Sequence, residues 1–135
     1  MNWVAASLLA LMSFGLWGLF TKLAVLYIDA KSALIYQTVG VLLIGFITLA
    51  LVEFKPASNL KGISYSILTG TAYGIGCLFY FMAASKGKII TVVTLTALYP
   101  LITIALAYFL LHESVSTKQY IGIACGLMAI LLMST

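Results

Sequence analysis

The sequence predicts an all-α integral membrane protein with five transmembrane helices. Three observations carry this. Five apolar stretches fill almost the whole chain of 135 residues. Hydrophobic residues make up 64% and charged residues 7%, against about 25% charged in a soluble domain. The connections are short, apart from Glu53 to Gly62. A bilayer core of ~30 Å needs about 20 apolar residues in a helix rising ~1.5 Å per residue. Backbone polar groups cannot go unpaired in hydrocarbon, so the stretches must be helices. They form one domain, residues 1–135, with no room for a soluble catalytic or regulatory domain.

The first stretch runs from Trp3 to Ile28. It follows Met1 and Asn2 without a basic segment and is too long for a secretory signal, so a retained helix is expected. Its centre lies near Gly15 and Leu16, which puts Lys22 ~10 Å from the midplane at ~1.5 Å per residue. Two readings of Lys22 stand side by side. A snorkelling lysine reaches the interface from that depth; a cation facing a cavity would attract anionic or zwitterionic solutes. Trp17 and Gly18 are close to the face of Lys22. Trp17 is too deep for an interfacial belt, and either packs or offers a substrate platform.

The second stretch, Ser32 to Val52, carries Gln37 and Thr38 about a turn and a half from its start. They bond between helices or supply polarity to a site. The third, Ile63 to Ala84, holds Tyr73 and Tyr80 seven apart, on one face. It also holds Gly70 and Gly74, a pair of small residues that lets helices approach closely. The fourth, Ile89 to Leu111, is rich in threonine and contains Tyr99 and Pro100. Proline cannot donate its amide and frees the carbonyl of Thr96, so a kink is expected here. Bending at Pro100 is the hinge this reading assigns.

The fifth stretch, Lys118 to Ser134, is the shortest and needs little tilt or a thinned bilayer. Ser116 and Gln119 fit a capping box before it. Gly122 and Gly126 form a second close-packing pair. Cys77 and Cys125 lie inside stretches without metal-ligand spacing, so small packing residues are expected and no metal.

The formal charge of +4 comes from seven lysines against Asp29, Glu53 and Glu113. The lysines sit mostly in loops, where they flank membrane helices by default; no nucleic-acid partner is expected. Five spans put the termini on opposite sides. Lys55, Lys61 and Lys118 then lie on one side and Lys22, Lys31, Lys86 and Lys88 on the other. Orientation follows a lysine and arginine excess, and this chain has almost none. Either a small bias suffices, or the chain inserts both ways and pairs antiparallel with itself. Transporters built from inverted repeats share a midplane site, and a second copy would supply the repeat missing here.

The catalytic inventory is poor. The one histidine, His112, sits beside Glu113 at a membrane boundary. No nucleophile has a base and orienter, no glycine-rich phosphate loop is present, and neither enzyme activity nor a cofactor is expected.

Trp17-Gly18 followed by Lys22-Leu23-Ala24 resembles the first helix of the EamA-type branch of the drug/metabolite transporter superfamily. Ala97-Leu98-Tyr99-Pro100-Leu101, with Leu110-Leu111-His112-Glu113-Ser114-Val115-Ser116, is similar to that family's fourth helix and the acidic turn after it. Gly122 to Leu132 is similar to its closing helix. The resemblance covers nearly the whole chain as one five-helix unit, and its larger members carry two inverted units. It implies a carrier of small metabolites and a structural role for Glu113 in its turn. Many relatives have a basic residue where this chain has Gln37. The membrane carboxylate of the four-helix multidrug branch is absent from the first helix, so proton-coupled export of cationic drugs is not implied.

The expectation is a multi-pass carrier of small polar or zwitterionic metabolites in a cytoplasmic membrane. It would work by alternating access, as an antiparallel homodimer or with a paralogous half-unit. Trp17, Lys22, Gln37, Tyr73, Tyr80 and Tyr99 would form its substrate site. The competing expectation is a non-transporting membrane partner that packs against another membrane protein through its glycine faces.

Overall fold

The computed structural model describes residues 2–134. It is entirely helical apart from turns: α1 (Trp3–Tyr27), α2 (Ala30–Leu51), α3 (Leu60–Lys86), α4 (Ile89–Thr96), α5 (Tyr99–Leu110) and α6 (Thr117–Ser134). Trp3–Tyr27, Ala30–Leu51, Leu60–Lys86 and Ile89–Leu110 are each long and apolar enough to cross a bilayer, and Thr117–Leu132 is a shorter apolar helix. Large apolar side chains such as Leu11, Phe14, Leu42 and Ile67 are exposed along the helices. An apolar exterior of this extent suits lipid rather than water. The chain is an all-α integral membrane protein with five spans.

The chain divides into two compact units, Met1–Lys86 and Gly87–Thr135. In the first, local chemistry sets every helix start. Asn2 caps α1, its side chain accepting from the Val4 amide. Asp29 caps α2: Oδ1 accepts from the Lys31 and Ser32 amides at 3.0 and 3.1 Å, and Oδ2 from the Ser32 hydroxyl. Those bonds, the Ser32 hydroxyl first, hold the Asp29 carboxyl below the usual carboxylate range. Asn59 does the same for α3 through the Lys61 and Gly62 amides. These two caps start α2 and α3 at Ala30 and Leu60, ahead of the apolar runs themselves. At the end of α2, Glu53 takes a left-handed backbone (φ 54°). Its amide bonds to Ala50 and that of Phe54 to Leu49, closing a Schellman turn.

Helix α3 packs against both α1 and α2. The contact is confined to one end of the unit. Its buried residues are Gly18 and Thr21 of α1, Ala33 of α2, and Cys77, Tyr80, Phe81 and Ala84 of α3. Trp17, Ala24, Val25, Ala30 and Leu34 pack around Ala33, Cys77 and Phe81. Lipid is as apolar as leucine, so membrane helices gain little from apolar burial and associate where small residues allow close van der Waals contact. Here those residues are Gly18, Ala33, Cys77 and Ala84. Gly70 and Gly74, marked in the sequence for close packing, have nothing within 4 Å of a Cβ placed on them. They belong to the first half of α3, where no residue is buried.

In the second unit α4 packs against α6. The fourth apolar stretch is not one helix. α4 ends at Thr96 and α5 begins at Tyr99, with Pro100 in its first turn. The Leu98 amide bonds to Leu95 and the Leu101 amide to Leu98, three residues back instead of four. Proline removes one donor and its ring excludes the carbonyl four back, so the ladder tightens and restarts. Thr94 and Thr96 return their hydroxyls to the backbone of the turn before. After α5, His112 is left-handed (φ 54°) and the Glu113 amide reaches the Ala107 carbonyl at 3.4 Å. The turn is thus closed by the backbone of Glu113. Ser116 and Gln119 then cap α6 reciprocally: the Ser116 amide donates to Gln119 Oε1 at 2.8 Å, and the Gln119 amide to Ser116 Oγ at 3.4 Å. Gly122 and Gly126 also face open space.

Candidate functional site

Three side chains from three helices meet in the first unit. The Trp17 indole N–H donates to Gln37 Oε1 at 2.7 Å. The Trp17 ring lies against the Tyr80 ring, with centroids 4.6 Å apart and planes tilted by 38°. Trp17 and Gln37 are half-buried and Tyr80 is buried. Indole donates and cannot accept, so it fixes the Gln37 carboxamide with its oxygen toward Trp17. The amide nitrogen, with two protons to donate, faces elsewhere. The cluster lies at the end where the three helices converge, on the inner side of Lys22 along α1.

Lys22 has a defined partner. Its ammonium donates to the Ala84 carbonyl at 2.7 Å. Ala84 is fully buried and lies in the last turn of α3, whose carbonyls have no amide ahead to bond them. A cation at a helix C-terminus is favoured by the aligned peptide dipoles as well as by the bond itself. Lys22 is thereby held toward the end of α3, between the two readings its depth allowed.

The other residues marked in the sequence are placed differently. Tyr73 shares the face of Tyr80 but lies one turn before Cys77, in the exposed half of α3. Tyr99 opens α5 in the second unit and is exposed, and Pro100 follows it. The structure therefore brings Trp17, Gln37 and Tyr80 together, with Lys22 one turn further along α1.

Thr21 escaped the sequence reading. Thr38, Thr48, Thr69, Thr71 and Thr103 each return their hydroxyl to the carbonyl four residues earlier. Thr21 does not: it is 3% exposed, and its hydroxyl has no hydrogen-bond partner among the described residues. It lies four residues after Trp17, on the same helix face. That spacing was the available signal.

Two open grooves lie elsewhere. One, about 530 Å³, is lined by Asn59, Gly62 and Ser66; the other, about 460 Å³, by Tyr108, Glu113 and Gln119. Asn59 and Gln119 are committed to helix caps. No cluster of three or more histidine, cysteine or acidic side chains able to hold a metal occurs among the described residues. All three carboxylates, Asp29, Glu53 and Glu113, stand outside the helices.

The model of the EamA-like transporter family matches residues 1–135. The chain is 31% identical over 104 residues to an uncharacterised protein of Methanocaldococcus jannaschii, covering 74% of this chain and 76% of that one. It is 29% identical over 105 residues to the glucose uptake protein GlcU of Staphylococcus xylosus. Probable glucose uptake proteins of Staphylococcus aureus match at the same identity. These alignments cover 78% of this chain but 35% of the glucose uptake proteins, so the chain spans about a third of their length. No solved structure matches.

Proposed function

Because the chain belongs to the EamA-like transporter family, we propose that it is a carrier subunit that moves small polar or zwitterionic metabolites across the cytoplasmic membrane by alternating access. The observation that carries this is the Trp17–Gln37–Tyr80 cluster. A bilayer-embedded protein has little reason to place a carboxamide inside a helix bundle unless a partner or a cargo uses it. One partner, Trp17, takes only its oxygen. The unit is packed at one end, around Cys77 and Ala84, and uncovered along the first half of α3. That asymmetry supports a pathway closed on one side. The relatives named for glucose uptake support a small polar cargo.

The working form in this reading is an antiparallel homodimer. The even division of lysines supports insertion in both orientations. Gly70, Gly74, Gly122 and Gly126 keep open faces on which a second chain can approach.

Purified protein reconstituted in vesicles tests the reading. Uptake of a small polar solute should be saturable and lost in Trp17→Ala and Gln37→Leu. A solute carried equally well by both variants would contradict the site, and leakage independent of protein would contradict the function.

A further inference from the structure

We propose that the packed end of the first unit is a gate, latched by the Lys22–Ala84 bond and biased toward opening by the unpaired hydroxyl of Thr21. The inference rests on the reading of that end as the closed side of a pathway. It adds the element that moves and the group that favours the movement.

Helix α1 is held by a short stretch. Its buried residues are Gly18 and Thr21, and none lies between Trp3 and Leu16. Trp17 ties this stretch to α2 through Gln37 and to α3 through Tyr80. Lys22 ties it to α3 through the Ala84 carbonyl. Lipid competes for the apolar faces, so apolar packing alone adds little to hold the helices together. The polar bonds then decide whether this end stays shut. Of these the Lys22 bond, with its charged donor, is the strongest kind.

Thr21 works against them. It is buried, and its hydroxyl has no partner among the described residues. Thr94 is buried too, but its hydroxyl bonds the Ile90 carbonyl at 2.7 Å. A buried hydroxyl left unpaired costs about as much as a bond to a charged group contributes, so one nearly offsets the other. In a helix the threonine hydroxyl can rotate onto a carbonyl three or four residues back. With α1 loosened from its neighbours, Thr21 gains room for that bond to Gly18 or Trp17. Thr38 and Thr48 make it in exposed positions. Opening therefore satisfies a group that closing leaves unpaired. Valine would fill the same volume at no such cost, which makes the hydroxyl the source of the bias.

Cys77 reports the opening. It is buried in the same contact, with Ala33 and Phe81, and a thiol reacts as the thiolate, so water must reach it first. Cys125→Ala leaves Cys77 the sole thiol. The full chain in lipid nanodiscs is treated with N-ethylmaleimide, and the rate of modification is followed. Thr21→Val should slow it about fivefold or more, and Lys22→Met should speed it about tenfold or more. Lys22→Arg, which keeps a charged donor, should stay close to the parent. Thr21→Val as fast as the parent, or Lys22→Met no faster, overturns the inference. So does the absence of any modification in both the parent and Lys22→Met. A second reporter, Val92→Cys with Cys77→Ala, is buried in the second unit. Thr21→Val should leave its rate unchanged, and equal slowing there would mean a gain in overall stability and overturn the gate. Vesicle uptake separates this from the carrier reading. Rates that change as expected without saturable uptake leave the gate standing and sink the carrier. Saturable uptake with Cys77 rates indifferent to both variants leaves the carrier standing and sinks the gate.

Discussion

The ammonium of Lys22 and the carbonyl of Ala84, 62 residues apart in sequence, are bonded at 2.7 Å. This bond ties α1 to the end of α3 and satisfies a carbonyl that the helix itself leaves open. It also fixes the only lysine inside a helix span away from its termini.

Lys22→Met should therefore act first on stability. The side chain keeps an unbranched apolar stem and loses its ammonium, leaving the Ala84 carbonyl without that donor. A hydrogen bond to a charged group contributes about 1.5–3 kcal/mol, and a loss in that range is expected by reversible unfolding in mixed micelles. Lys22→Arg, which can still reach a carbonyl, should retain most of it. Equal stability of Lys22→Met and the parent would show that the bond contributes nothing.

The Trp17–Gln37 bond should be measurable as a pairwise term. Hydrogen bonds between membrane helices average about 0.6 kcal/mol and reach about 1.7 kcal/mol in mutant cycles. A cycle of Trp17→Phe and Gln37→Leu should give a coupling in that range. Phenylalanine retains a ring for Tyr80, so the cycle isolates the indole N–H. Strict additivity would mean that the two side chains are neighbours without being partners.

Pro100→Ala should join α4 to α5. Alanine restores the amide that the Thr96 carbonyl lacks and relieves the ring clash. Hydrogen exchange reads the outcome: the amides from Ala97 to Leu101 should become better protected. If bending here serves transport, the same variant should slow uptake while binding cargo normally. Unchanged protection would place the cause of the break outside Pro100.

The Asp29 cap predicts a pH response. Its carboxyl is held below the usual carboxylate range by the Ser32 hydroxyl and the Ser32 and Lys31 amides. A depressed acid contributes stability above its unfolded pKa and loses it as pH falls through the lower, folded value. The start of α2 should fray over that acidic window. Asp29→Asn, which still caps, should remove the pH dependence while keeping the helix start. Hydrogen exchange at Lys31 and Ser32 against pH is the measurement, and a parent profile as flat as that of the variant would contradict the cap.

What the sequence made legible was governed by short range. Apolar length gave the spans, and Ser116 with Gln119 gave a cap whose partners are three apart. Helices α2 and α3 begin at Ala30 and Leu60, ahead of the apolar runs, because Asp29 and Asn59 act outside those runs, as N-caps do. The depth of Lys22 was legible, but its partner was not, since nothing local links it to Ala84. The seven-residue spacing of Tyr73 and Tyr80 gave a shared face without saying that only the second meets Trp17. Thr21 was hidden for another reason. A threonine in a helix ordinarily bonds its own backbone, so only the surrounding helices show that this one does not.

Orientation in the membrane tests the central claim most directly, that one unit works as an antiparallel pair. Cys77 and Cys125 are replaced by alanine, and a single cysteine is placed at Ser114, which is exposed and leaves the Ser116 cap intact. Intact cells are labelled with an impermeant thiol reagent, then opened and labelled again. The account predicts that about half the protein reacts before opening, because the lysine bias on which orientation depends is almost absent. Complete reaction, or none, would mean a single orientation and would contradict the antiparallel homodimer.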